Sequence, residues 1–138
     1  MKKAKPAIIL LVEDDRGSQE LTRRALGEGK IRNELRIVED GEEALAYLFR
    51  RGKYKDPATS PKPDLLLLDL NLPRVDGREV LEQIRADSKL RRMAVVVLTT
   101  SRQEEDILRS YELGCNSFIT KPVDVKQFLQ VIQATESY

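Results

Sequence analysis

Histidine and tryptophan are absent from this 138-residue chain, and cysteine occurs once, at Cys115. Without an imidazole there is no base for a histidine triad and no ligand set for the common zinc sites. A single thiol forms no intramolecular disulfide, and Cys115, between a helix and a strand in LGCNSF, is expected to be a small buried hydrophobe rather than a redox group. No apolar stretch is long enough to cross a membrane. The opening MKKAKPA lacks the apolar core of a secretory signal, so a cytoplasmic protein with no membrane partner is expected. Twenty-four basic against 23 acidic side chains leave a formal charge of +1, which gives no global attraction for nucleic acid. Repeats and low-complexity tracts are also missing.

What is present suits one domain over residues 1–138, with an extended or disordered start over about residues 1–6. Apolar runs of strand length occur at Ala7 to Val12, Leu35 to Val38, Leu65 to Leu68, Val95 to Leu98 and Ser117 to Ile119. The longest are continuous rather than alternating, as in strands buried on both faces. Helical spacing separates them, clearest in Val125, Phe128, Leu129 and Ile132, and again in Leu45, Leu48 and Phe49. Cap patterns predict the helix starts: Asp40 with Glu43, Asp76 with Glu79, Ser101 with Glu104, and Asp124 with Gln127. The first helix should begin just after Asp15, its cap, and end near Gly27 and Gly29. Such alternation predicts right-handed βαβ crossovers, hence an α/β fold with a five-stranded parallel sheet covered by helices on both faces. One long basic loop is expected, residues 50–64, whose three prolines argue against regular structure and for a solvated segment.

Chemistry-bearing residues cluster where the apolar runs stop. IILLV ends in Glu13, Asp14 and Asp15; LLLL ends in Asp69, followed by Asn71 and Pro73; VVVL ends in Thr99, Thr100 and Ser101; SFIT ends in Lys121 and Pro122. Open parallel sheets place their sites at the carboxyl ends of the strands. Carboxylates crowded there repel unless a cation sits among them, and hard oxygen ligands suit Mg²⁺, with Mn²⁺ as a substitute.

These strand ends, with DLNLPRVDGREVLEQIRAD and ITKPVD, resemble the response-regulator receiver domain of two-component systems. The resemblance implies the flavodoxin-like (βα)5 receiver fold with strand order 2-1-3-4-5. It implies that Asp69 is the phosphoacceptor and that Glu13, Asp14, Asp69 and the backbone of Asn71 hold the metal, Glu13 through a water. It further implies that Lys121 and Thr99 bind the phosphoryl oxygens, that Phe118 is the switch aromatic, that Asn71 and Ser101 tune the lifetime of the acyl phosphate, and that Pro122 follows a cis bond. Thr100, bulkier than the residue usual there, is expected to narrow access to the phosphate.

Within receivers the chain is most similar to the single-domain regulators paired with phytochromes. That likeness implies a stand-alone regulator phosphorylated by a sensor histidine kinase, a phytochrome among the candidates. Signalling to an unknown downstream protein would run by binding, with a homodimer through helix 4, strand 5 and helix 5; helix 4, near Ser101 to Leu113, carries Tyr111. No output domain is expected after Tyr138. Such a protein is a phosphoacceptor switch rather than an enzyme acting on a separate substrate. The alternatives are a phosphorylation-independent scaffold and a Mg²⁺-dependent aspartyl phosphatase. The phosphatase would need a second Asp two residues after its nucleophile, where this chain has Asn71.

Overall fold

Each apolar run becomes a strand. The computed structural model describes residues 6–28, 32–70, 72, 75–109, 114–115 and 117–136. Strands β1 (Ala7–Val12), β2 (Asn33–Val38), β3 (Leu65–Asp69), β4 (Ala94–Thr99) and β5 (Ser117–Thr120) form one parallel sheet in the order β2-β1-β3-β4-β5. Helices α1 (Arg16–Glu28), α2 (Gly41–Leu48), α3 (Gly77–Ala86), α4 (Arg102–Arg109) and α5 (Val125–Glu136) follow the strands in turn. Several strands outrun their apolar runs: β2 takes in Asn33 and Glu34, and β4 takes in Ala94 and Thr99. Backbone pairing does not stop where hydrophobicity does. Gly29, Asn71, Tyr111 and Leu113 lie outside the described residues.

Alternation along each strand splits the continuous runs into two cores. Leu10, Val12, Leu66, Leu68, Val95 and Val97 pack with residues of α2, α3 and Leu108 of α4. Ile9, Leu11, Leu65, Leu67, Val96, Leu98 and Ile119 pack with Ala25 and Leu26 of α1 and Phe128 of α5. At ~25 cal/mol per Å² of apolar surface removed from water, fully burying a leucine stabilises by about 2 kcal/mol, so both cores must be filled for the fold to hold. Cys115 is only partly buried, at the border of the first core, because the chain has already left α4 and not yet entered β5.

Caps form largely as the spacing predicts. Asp40 accepts from the Glu43 amide at 2.7 Å, Asp124 from the Gln127 amide at 2.7 Å and Asp15 from the Ser18 amide at 2.7 Å. Asp76 differs: its carboxylate takes the Arg78 amide at 2.8 Å, leaving the Glu79 amide to the Asp76 carbonyl.

The long loop is neither irregular throughout nor merely solvated. Gly52–Tyr54 forms a 3₁₀ turn, and Tyr54 packs against Tyr47 with ring centroids 5.0 Å apart and the ring planes tilted by 49°. The Tyr47 hydroxyl donates to the Pro61 carbonyl at 2.7 Å, Arg36 to the Thr59 carbonyl at 2.9 Å, and Asp64 receives the Ile8 amide at 2.8 Å. Side-chain anchors outside the loop therefore order what its prolines keep out of helix and sheet. At the loop's start α2 ends in a Schellman arrangement: the Arg50 amide donates to the Tyr47 carbonyl and the Arg51 amide to the Ala46 carbonyl. Arg50 thus occupies, with φ 57°, the left-handed position that glycine usually fills, at a cost of about 1 kcal/mol.

Candidate metal and phosphoacceptor site

Three strand ends converge at the carboxyl edge of the sheet. Glu13 and Asp14 follow β1, Asp69 closes β3 beside it, and Lys121 follows β5. Glu13, Asp69 and Lys121 continue the rows of Ile9 and Leu11, of Leu65 and Leu67, and of Ile119, so alternation turns all three to the α1/α5 side. Thr99 continues the Val95 and Val97 row on the other side, and Phe118 pairs in register with Val97 there, partly buried against the first core.

Lys121 Nζ lies 2.7 Å from Glu13 Oε1 and 2.7 Å from Asp69 Oδ2. Glu13 is 1% exposed and Asp69 4%. Buried charges persist only when paired, and this ammonium pairs two of them. Burial pushes the Glu13 carboxyl above its ordinary value of 4.5, and the hydrogen bond and charge of Lys121 only partly offset that. For Lys121, burial alone would lower the pKa; hydrogen bonds to Asp69 and Glu13 outweigh it and hold the ammonium above 10.5. An ion pair by itself would move the two groups apart, so the shared upward direction reflects how deeply Glu13 is buried. The Asp15 carboxyl sits below its usual range through the Ser18 amide, which fits a helix cap rather than a ligand.

Glu13, Asp14 and Asp69 each offer a carboxylate oxygen within 4.8 Å of the others. Three carboxylates against one ammonium leave two negative charges, and a carboxyl that burial discourages from ionising. Hard oxygen donors with that balance fit a divalent cation such as Mg²⁺ or Mn²⁺. Asn71, the remaining expected ligand, lies outside the described residues.

The other expected residues take these places. Thr99 is fully buried at the end of β4, and its hydroxyl donates to the Ile119 carbonyl at 3.4 Å. Thr100 is exposed, and both its amide and its hydroxyl donate to Glu104, each at 3.1 Å. Glu104 thus holds Thr100 against the first turn of α4, and Ser101 is spent capping that helix at the Glu104 amide. The Lys121–Pro122 peptide bond is cis, as expected.

Two supporting residues escaped the sequence reading. Gln19 of α1 donates to the Glu13 carbonyl at 2.8 Å and to Glu39 at 3.0 Å, tying the ends of β1 and β2 to the helix. Its only signal was its place one turn after the cap Asp15. Gly77 opens α3 so close to β3 that a Cβ there would stand 2.7 Å from the Asp69 carbonyl oxygen and 2.6 Å from the Leu70 Cα. A lone glycine after a cap residue reads as turn chemistry, which concealed this close approach.

Comparison with known proteins agrees with this geometry. Residues 9–133 match the response regulator receiver domain family. The response regulator Rcp1 of Synechocystis sp. is 45% identical over 133 residues, covering 96% of this chain and 88% of that one. The structure of its Mn²⁺-bound form aligns with a TM-score of 0.74, covering 96% of this chain and 94% of that one at 45% identity. The bacteriophytochrome response regulator RtBRR aligns with a TM-score of 0.87 at 45% identity, over 97% of this chain and 80% of that one. The phosphorylated cyanobacterial phytochrome response regulator RcpA aligns with a TM-score of 0.75 at 45% identity, over 96% of this chain and 92% of that one. A Mn²⁺ ion and a phosphoryl group are thus named in relatives whose chains overlay nearly all of this one. Sequence, fold and strand-end chemistry agree that the chain belongs to the response regulator receiver family of two-component systems.

Proposed function

We propose that this protein is a stand-alone response regulator that accepts a phosphoryl group on Asp69 from a histidine kinase, in a reaction that needs a divalent cation. The observation that carries the reading is the Lys121 ammonium, 2.7 Å from both Glu13 and Asp69 and beside Asp14, at the carboxyl edge of the sheet. Asp14 and Asp69 hold the cation, with Glu13 in support and the Asn71 backbone completing the set. Bound there, Mg²⁺ or Mn²⁺ supplies positive charge that lets a phosphoryl dianion approach a carboxylate.

Asp69 attacks phosphorus and displaces the imidazole of a phosphohistidine, forming an acyl phosphate. Lys121 keeps its place and exchanges its hydrogen bond to Asp69 for one to a phosphoryl oxygen. Thr99 leaves the Ile119 carbonyl and donates to a second phosphoryl oxygen. Because Phe118 shares the Thr99 face and has no hydroxyl to retain at the surface, it follows by packing. The receiver resemblance gives Asn71 and Ser101 the further role of setting how long the acyl phosphate lasts.

The output is binding through α4, β5 and α5, where the reading also places a homodimer contact; Ile107 of α4, 53% exposed, suits it. RtBRR is a bacteriophytochrome response regulator and RcpA a cyanobacterial phytochrome response regulator, which makes a phytochrome kinase the first partner to try. Among the described residues no helix is long and apolar enough to cross a membrane, and the proposed place of work is the cytoplasm.

Incubation with Mg²⁺ and acetyl phosphate, read by intact mass, tests the central claim. One phosphoryl adduct, lost in Asp69→Asn and in EDTA, is expected. A folded wild type that stays unmodified both here and with a phosphorylated kinase turns the reading to a phosphorylation-independent scaffold.

A further inference from the structure

The sheet end remote from the strand-end site carries the opposite charge. Residues 50–64 and 87–92, which meet there, hold eight basic side chains and three acidic ones in a chain whose net charge is +1. All three acids are engaged with backbone amides: Asp56 takes the Ala58 amide at 2.9 Å, Asp64 the Ile8 amide at 2.8 Å, and Asp87 those of Lys89 and Leu90 at 2.9 and 3.0 Å.

Between these segments lies a groove of about 400 Å³. Buried Tyr47, Leu48, Pro63 and Leu90 supply apolar lining, and Arg50, Lys62 and Lys89 line it with positive charge. Lys62 is braced across the groove, its ammonium 3.2 Å from the Lys89 carbonyl, and Arg50 donates to the Ser60 carbonyl at 3.4 Å. Arg50 is also the residue held at φ 57° where glycine would be easier. Glycine would relieve that strain but would take the guanidinium out of the groove.

We infer that this groove, lined by Arg50, Lys62 and Lys89, docks an acidic peptide segment of a protein partner that inserts one apolar side chain. Charge complementarity selects the acidic segment, and the volume and apolar lining select the side chain. Nucleic acid fits less well, because single strands bind by stacking on exposed aromatics, whereas Tyr47 is 5% exposed with its hydroxyl spent on Pro61. The inference does not rest on the phosphoryl reading. Since β3 alone separates the groove from Asp69 by about 13 Å of strand, a partner seated here leaves the other site open.

The test is an NMR titration of the ¹⁵N-labelled protein with a short peptide of alternating glutamate and leucine, with inorganic phosphate and oligothymidine as competitors. Expected are amide shifts confined to Arg50, Ser60, Lys62, Ser88, Lys89 and Leu90, saturating with the peptide and weakening with salt. Lys62→Glu with Lys89→Glu should weaken binding roughly tenfold or more, and Arg50→Gly should also weaken it roughly tenfold. The same Arg50→Gly variant should raise the thermal midpoint by about 2 °C, which separates lost binding from lost fold. Shifts elsewhere, binding indifferent to these substitutions, a lower midpoint for Arg50→Gly, equal shifts from phosphate alone, or tighter binding of oligothymidine would each overturn the inference.

Discussion

Tyr47 shows how a single hydroxyl orders a loop. It is buried, donates to the Pro61 carbonyl at 2.7 Å, and its pKa is raised from 10.0, first by burial. The folded chain therefore keeps this proton when the unfolded chain has begun to lose it. Its contribution is fully present below pH 10.0 and is lost as pH rises toward the folded value. Tyr47→Phe should cost about 1 kcal/mol at neutral pH. In denaturant melts from neutral to strongly alkaline pH, the gap between wild type and variant should close as the solution turns alkaline; a constant gap would count against the buried hydroxyl.

Helix α3 comes up against the backbone of Asp69 at Gly77. Gly77 lets the first turn of α3 lie against the Asp69 carbonyl, so a methyl group there must push helix and strand apart. Gly77→Ala should destabilise by about 2 kcal/mol, and it should slow acetyl-phosphate labelling more than an equally destabilising core variant such as Leu26→Ala. Equal slowing in both would mean that Gly77 matters only for packing. Elements of this kind mark where sequence reading stops. Strands and caps were legible because each depends on near neighbours: an apolar run, or an oxygen three residues before an amide. Asp14, Asp69 and Lys121 were legible as strand-end residues, and the receiver resemblance gave the strand order that brings them together. Gly77, Gln19, the Glu104 hold on Thr100 and the anchors of the long loop were not, because each depends on a distance across the fold that no spacing in the chain encodes.

Charge differs between the two ends of the sheet: Glu13, Asp14 and Asp69 gather at the carboxyl edge, and residues 50–64 and 87–92 carry a surplus of base at the other. A divalent cation at the acidic edge relieves repulsion in the folded state alone. At about a hundred times its dissociation constant it should add about 2.7 kcal/mol, a rise of several degrees in thermal midpoint that Asp14→Asn abolishes. Lys121 already engages two of the three carboxylates, through Glu13 Oε1 and Asp69 Oδ2. Lys121→Met should therefore lose about 3 kcal/mol in EDTA, yet show a larger Mg²⁺-dependent rise than wild type; a smaller rise would place the cation elsewhere. The alternation that builds two cores has one more consequence. Glu13, Asp69 and Lys121 belong to one side of the sheet, Thr99 and Phe118 to the other, so the sheet parts the charged cluster from the pair to which the proposed function gives the change of shape. The two sides meet at the carboxyl edge, where Asp69 and Thr99 end the adjacent strands β3 and β4 with Asp69 in register with Leu98, so the proposed switch needs no longer wire.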